Sequence, residues 1–148
     1  MSDPTVDCQA LIRSMLPLAE ELLTAQGGFI PFGGAMRPDG QLVSIAGYGG
    51  NERPESADVI AFLKAAFIAA ARNGEYKATA IVYDVRVKSP SSEEKSDAIA
   101  VSLNHRDDYS VVVLFPYKID SGKLSLGNPF PQSGEFPQSG EAYIFPAR

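Results

Sequence analysis

The chain has 148 residues, of which 13 are Lys or Arg and 18 are Asp or Glu, giving a formal net charge of −5. Its length favours a single domain, and an apolar content of 45% argues against general disorder. The acidic balance argues against nucleic acid as a partner, because phosphate contacts need a cationic face. A single cysteine excludes an internal disulfide and a cysteine-based zinc site.

The chain shows no sign of membrane insertion or export. Its longest strongly apolar stretch, Val59–Ala71, contains Lys64 and is too short to span a bilayer. The N-terminal sequence MSDPTVDC is acidic and lacks the basic segment of a signal peptide. We therefore expect a soluble, cytoplasmic α+β domain with no membrane partner.

The first predicted element is a helix over Pro4–Ala25. Asp3 suits the N-cap, and Gly27-Gly28 ends the helix. Apolar residues recur at helical spacing in two adjacent rows, Leu11, Met15, Leu18 and Leu22 beside Ile12, Leu16, Ala19 and Leu23. Pro17 lies off these rows, which predicts a kink on the solvent side or two short helices that meet there.

A β-hairpin is predicted next. The sequence Arg37-Pro38-Asp39-Gly40 is typical of a turn, since proline fixes φ and glycine accepts positive φ. Folding about this turn pairs Met36 with Gln41 and Phe32 with Ile45. The face expected toward the core then carries Ile30, Phe32, Met36, Val43 and Ile45. Paired glycines within and around the hairpin are interpreted as turns, close backbone approaches and, at positions 33–34, a β-bulge.

A second helix is predicted over about Ala57–Arg72, with Ser56 as N-cap and Asn73-Gly74 at its end. It is apolar around most of its circumference, through Val59, Ile60, Phe62, Leu63, Ala66, Phe67, Ile68, Ala69 and Ala70. Such a helix is either sandwiched between layers or half-covered by another subunit. The sequence leaves both alternatives open.

Three consecutive segments alternate with period two and predict antiparallel strands: ATAIVYDVRVK, DAIAVSLNH and YSVVVLFPYKI. Their odd-numbered positions carry the bulky side chains, among them Ile81, Val101 and Val113. If both connections preserve this parity, one face collects nearly every large apolar residue, and we expect both helices to cover it. The even face, with Ala80, Val82, Ala98, Ala100, Val112 and Leu114, should look outward.

The pattern weakens after Ile119. The turn residues Asp120-Ser121-Gly122 can lead into a short strand, Lys123–Leu126, and the terminal EAYIFPAR can form another strand. Residues 127–141 contain the hexamer FPQSGE twice in tandem. Because exposed loops tolerate insertions, we predict a surface loop here, with a proline-containing docking peptide as the alternative.

Few residues offer catalytic chemistry. Cys8 and His105 provide the chain's one thiol and one imidazole, and no zinc, EF-hand or phosphate-loop spacing occurs. We therefore predict no metal, no cofactor and no catalytic residue. Asp7 should raise the pKa of the neighbouring Cys8 thiol and leave it inert. His105 is expected to be a hydrogen-bonded residue at the rim of the sheet, with a general base as the alternative.

The even face supplies the functional hypothesis. Its candidate partner contacts are Asp84, Arg86, Ser102 and Asn104. The rest of this face is too apolar to stay in water, so a helix, the C-terminal segment or another subunit must cover part of it. We therefore expect a non-enzymatic protein-binding module, an adaptor or an immunity-type partner, that forms a homodimer. The alternative is a small enzyme or ligand-binding domain with a pocket formed by Tyr83, His105, Asp107 and Tyr109.

Two resemblances accompany these inferences. The segment Phe29–Tyr117 resembles a group of uncharacterised bacterial proteins. The resemblance rests on the sequences FIPFG, Asp39-Gly40 and VYDV, which contain Phe29, Pro31, Phe32, Gly33, Tyr83 and Asp84. It implies no activity. The element order is similar to the roadblock and profilin-like architecture, which implies a scaffolding or binding fold. The predicted fold is α+β, with a five-stranded, mainly antiparallel sheet, two helices on one face and possible short C-terminal strands.

Overall fold

A computed structural model describes residues 4–27, 29–45, 56–88, 95–106 and 109–131. Its elements are α1 (Pro4–Gln26), β1 (Phe32–Met36), β2 (Leu42–Ile45), α2 (Ser56–Arg72), β3 (Ala78–Lys88), β4 (Lys95–His105), β5 (Tyr109–Asp120), β6 (Lys123–Leu126) and β7 (Phe130–Pro131). The strands form one antiparallel sheet in the order β2-β1-β3-β4-β5-β6, with β7 paired to β5. The predicted α+β class and element order are confirmed.

The two helices lie on opposite faces of the sheet, and the prediction of both on one face was wrong. Gly33 and Gly34 are consecutive in β1 and therefore face opposite sides. A Cβ atom on Gly33 would lie 2.8 Å from Cζ of Phe67 in α2, and one on Gly34 would lie 2.6 Å from Sδ of Met15 in α1. The register with β2 and β3 continues through both glycines, so they form no bulge. They let both helices approach β1 closely.

The sheet thus has a core on each side. Between α1 and the sheet lie Cys8, Leu11, Met15, Ala19, Leu23, Phe32, Met36, Ala78, Ala80, Val82, Ile99, Val101, Leu103, Phe115 and Tyr117. On the other side, α2 packs Val59, Leu63, Phe67 and Ala71 against Ala35 and Ile81. Ala98, Ala100 and Leu114 form a further buried cluster, against which Phe130 of β7 packs. The even-numbered residues predicted to look outward are therefore largely buried.

The length of one connection explains the error in parity. Between the paired residues Lys88 and Lys95 lies an even number of residues, so even positions of β3 pair with odd positions of β4, as in Val82 with Val101. Between His105 and Tyr109 lies an odd number, and parity is kept there as predicted. The odd-numbered side chains of the three strands consequently divide between two faces.

The β1–β2 hairpin turns where predicted, but its register is shifted by one residue. The N–H of Gly40, which has a φ of +95°, donates to the carbonyl of Arg37 at 2.8 Å. The N–H of Arg37 donates to the carbonyl of Gln41, also at 2.8 Å. Gly40 is therefore an extra residue between the two paired ends. Met36 pairs with Leu42 instead of Gln41, which divides the predicted core face of the hairpin between both sides of the sheet.

Other predicted features have mixed outcomes. α1 is one helix that continues through the exposed Pro17. The turn before β6 is present, with positive φ values at Ser121 and Gly122. Phe130–Pro131, placed in the predicted surface loop, forms β7 at the edge of β5. The remainder of the tandem hexamer and the terminal EAYIFPAR lie outside the described residues.

Candidate functional site

A buried ionic cluster joins the beginning of α1 to the sheet. Oδ2 of Asp7 lies 2.8 Å from Nε2 of His105 and 3.4 Å from Nζ of Lys77. The side chains of Asp7, Lys77 and His105 are 7%, 9% and 1% exposed. His105 ends β4 and Lys77 precedes β3, so one carboxylate connects α1 to two neighbouring strands.

Backbone hydrogen bonds fix the position of Lys77 beside His105. The N–H of Lys77 donates to the carbonyl of Met36 at 2.8 Å, and the carbonyl of Lys77 accepts the N–H of Arg106 at 3.0 Å. Asp7 and Lys77 were not predicted as partners of His105. One signal was present, because Asp7 continues the apolar row of Leu11 and Met15 at a spacing of four residues.

The electrostatics of the cluster favour an ionised Asp7. Burial alone would raise the pKa of Asp7, but the hydrogen bond with His105 and the positive charge of Lys77 together lower it below its usual value. On the next residue, burial and the Asp7 charge raise the pKa of the Cys8 thiol to about 12. The expected inert thiol is therefore supported. His105 is too buried to offer its ring to a substrate, and the cluster holds α1 on the sheet.

A second polar contact lies on the α1 side of the sheet. The hydroxyl of Tyr117 in β5 donates to Oδ1 of Asp84 in β3 at 2.9 Å, across β4. Burial raises the pKa of Asp84; the hydrogen bond from Tyr117 opposes this, and the charge of Asp97 adds to it. The contact links two strands that are not neighbours in the sheet.

The predicted contact residues do not share one face. Asp84 alternates with Val82, so β3 places it and the backbone position of Arg86 on the α1 side. Ser102 and Asn104 lie on the α2 side, where Ser102 is half-buried and Asn104 is buried. The predicted outward surface is therefore not assembled, because the parity between β3 and β4 is reversed. The roles of these residues in binding stay predictions.

The residues of the alternative pocket are also separated. Tyr83 packs on the α2 side, whereas His105 faces α1. Tyr83 pairs with Ala100, which lies roughly 17 Å from His105 along β4 at about 3.3 Å per residue. Tyr109 is opposite His105 in the register, and Asp107 lies outside the described residues.

A different surface stands out on α2. We define its outer face by exposed residues at helical spacing, namely Asp58, Ala61, Phe62, Ala65, Ala66, Ala69 and Arg72. Between the two charged ends, every member is apolar, and Phe62 is 48% exposed. α1 also exposes apolar residues, Val6 at 59% and Leu18 at 40%, but its exposed residues include polar ones along its length, namely Gln9, Arg13, Ser14, Glu21 and Thr24.

Comparisons with protein-family models, curated proteins and solved structures find no match for the chain. In the described part of the chain, neither helix combines the length and apolarity needed to cross a bilayer. Among those same residues, no three His, Cys, Asp or Glu side chains gather where they could hold a metal ion. The proposals below therefore rest on the fold and its surfaces.

Proposed function

We propose that the chain is a non-enzymatic protein-binding module, an adaptor or an immunity-type partner, that binds through the outer face of α2 and forms a homodimer. The carrying observation is the exposure of this face, whose apolar members run from Ala61 to Ala69 over about two and a half helical turns. The inner side of α2 already packs on the sheet. Of the two arrangements that the sequence allows for this helix, the structure therefore favours cover by another subunit.

Physical chemistry supports contact at this face. Burying apolar surface contributes roughly 25 cal/mol per Å². Contiguous exposed apolar surface marks interaction sites on soluble proteins, and aromatic residues such as Phe62 are enriched at their centres. A contact limited to one helix buries less than the roughly 800 Å² per partner of standard complexes. We therefore expect a reversible, micromolar dimer.

The alternative, an enzyme or ligand-binding domain, has less support. It required Tyr83 and His105 in one pocket, but these residues lie on opposite faces of the sheet. The imidazole of His105 is committed to Asp7 inside the protein. No observation on the described residues favours this second function over binding.

The test is Ala65→Glu, at the centre of the outer face. Glutamate has a helix propensity close to that of alanine, and Ala65 is exposed, so the monomer should stay folded. Ser14→Glu adds the same charge to the exposed side of α1 and serves as the control. Sedimentation velocity over a concentration series should show self-association of the wild type and of Ser14→Glu, and a monomer for Ala65→Glu.

Two results would contradict the proposed surface or state. A wild-type chain that is strictly monomeric at high micromolar concentration removes the homodimer. Equal self-association of wild type and Ala65→Glu removes the outer face of α2 as the contact. Circular dichroism of all three proteins excludes misfolding as the cause of any difference.

A further inference from the structure

The ends of the outer face of α2 carry opposite charges. Asp58 lies in the first turn of the helix and Arg72 in its last turn, and Ala65 is midway between them. The two charges are separated by about 21 Å along the axis, at about 1.5 Å per residue. Among the described residues, neither Asp58 nor Arg72 forms an ion pair within its own chain. This arrangement is self-complementary.

We infer that two copies of the chain pair through antiparallel α2 helices, with a two-fold axis at Ala65. This inference rests on the homodimer proposed above and adds its geometry. The axis places Asp58 of each copy opposite the partner's Arg72, which gives two opposite-charge contacts per dimer. Parallel helices would place like charges together at both ends, and they would also align their dipoles unfavourably.

The residues between the charges allow close approach. Under this symmetry, Ala61 lies opposite the partner's Ala69, and the two copies of Ala65 meet at the axis. Methyl side chains along such a row permit helix axes toward the short end of the usual range of about 8–10 Å. Phe62 lies beside the row, at a height between the partner's Ala66 and the partner's Ala69, where small side chains leave space for a ring.

Charge reversal tests the antiparallel arrangement. Asp58→Arg and Arg72→Asp each place like charges at both ends of the dimer, and each should raise the dissociation constant about tenfold at low salt. The double variant restores opposite charges, and its dissociation constant should return to within about threefold of the wild-type value. The neutral variants Asp58→Asn and Arg72→Gln should each raise it about threefold without introducing repulsion.

Monomer stability must be measured beside association. Asp58 and Arg72 also complement the dipole of their own helix, so each reversal weakens that helix and the double variant weakens it most. Thermal unfolding at concentrations well below the dissociation constant reports this effect alone. Recovery of association in the double variant, despite its lower monomer stability, is the result expected from pairing between copies.

The outcomes separate the two proposals. If Ala65→Glu dissociates the dimer but the double reversal does not recover association, the antiparallel register is overturned and the outer face remains the contact. If single charge changes leave association unchanged, the register is likewise overturned. If Ala65→Glu has no effect on association, the outer face of α2 and the antiparallel register both fail. If the wild type is monomeric, the homodimer and the antiparallel register both fail.

Discussion

Replacing Asp7 by asparagine removes the carboxylate that accepts from His105 and neutralises Lys77 inside the protein. The substitution preserves the shape of the side chain but removes the negative charge of Asp7 beside the ammonium group of Lys77, which is 9% exposed. The same change removes an anchor between α1 and the ends of two strands, because Asp7 is the member of the cluster that α1 supplies. We expect the folded state to lose stability at neutral pH.

The expected loss is about 3 kcal/mol, the lower part of the range for breaking a buried ion pair. The Lys77–Asp7 distance of 3.4 Å is longer than an ideal charged hydrogen bond, which favours the lower value. For a domain of this size, each kcal/mol shifts the unfolding temperature by about 2–4 °C. Asp7→Asn should therefore unfold roughly 6–12 °C below the wild type.

The stabilisation that Asp7 contributes should depend on pH. The pKa of Asp7 is lower in the folded protein than its usual value, so the ionised side chain stabilises the fold above about pH 4, the ordinary aspartate pKa. This contribution is lost as the pH falls through the folded pKa. The difference in unfolding free energy between wild type and Asp7→Asn should therefore be largest at neutral pH and should shrink on acidification.

Urea denaturation followed by far-ultraviolet circular dichroism, at one protein concentration and at several pH values, measures both quantities. Glu21→Gln, on the exposed side of α1, removes the same charge and should stay within about 0.5 kcal/mol of wild type. A loss below about 1 kcal/mol for Asp7→Asn, or a difference that does not change with pH, would refute an ionic anchor at this position.

Two further outcomes follow from the packing. Gly33→Ala places a methyl group against the ring of Phe67 and should destabilise the protein by about 1–3 kcal/mol. Gly34→Ala meets the end of the Met15 side chain, which can rotate, so its cost in urea denaturation should be smaller; equal costs would contradict this packing. The Cys8 thiol, 2% exposed and with its pKa raised to about 12, should not react with a thiol reagent in the native protein at mildly alkaline pH, and rapid labelling detected by mass spectrometry would contradict its burial.

The secondary structure was predictable because each element depends on nearby residues. The apolar rows of α1, the turn chemistry before Gln41 and the alternation in β3, β4 and β5 are local patterns, and the elements lie close to their predicted positions. Gly40 and Gly74 both adopt positive φ where the chain turns or a helix ends. These features require no knowledge of distant parts of the chain.

The relation between elements was not predictable by the same means. The choice of face depends on whether the connection between paired residues has an odd or an even number of members, and the sequence does not show which residues pair. One unpaired residue, Gly40, shifts the hairpin. The connection between Lys88 and Lys95 reverses parity. Each is a one-residue effect that transfers side chains to the other face.

The members of the ionic cluster could not be predicted from local sequence patterns either. His105 and Asp7 are separated by 98 positions, and the tertiary fold alone brings them together. A charged residue on the apolar row of α1 indicates a buried partner but does not identify it. His105 is hydrogen-bonded at the end of its strand, as predicted, but its partners Asp7 and Lys77 come from two other segments of the chain.

The solvent-facing sides of the two helices differ, and this difference supports the proposed binding surface on α2. α1 and α2 each cover one face of the same sheet, so both need apolar residues on their inner sides. On its solvent side, α1 exposes Val6 and Leu18 but also has charged residues such as Arg13 and Glu21, as expected for a helix whose outer side faces water. α2 has none between Asp58 and Arg72 on its outer face, although packing on the sheet requires no apolar residue there. We propose that contact with a second copy accounts for this difference. In the proposed dimer, the opposite charges at the two ends of the face favour the antiparallel orientation.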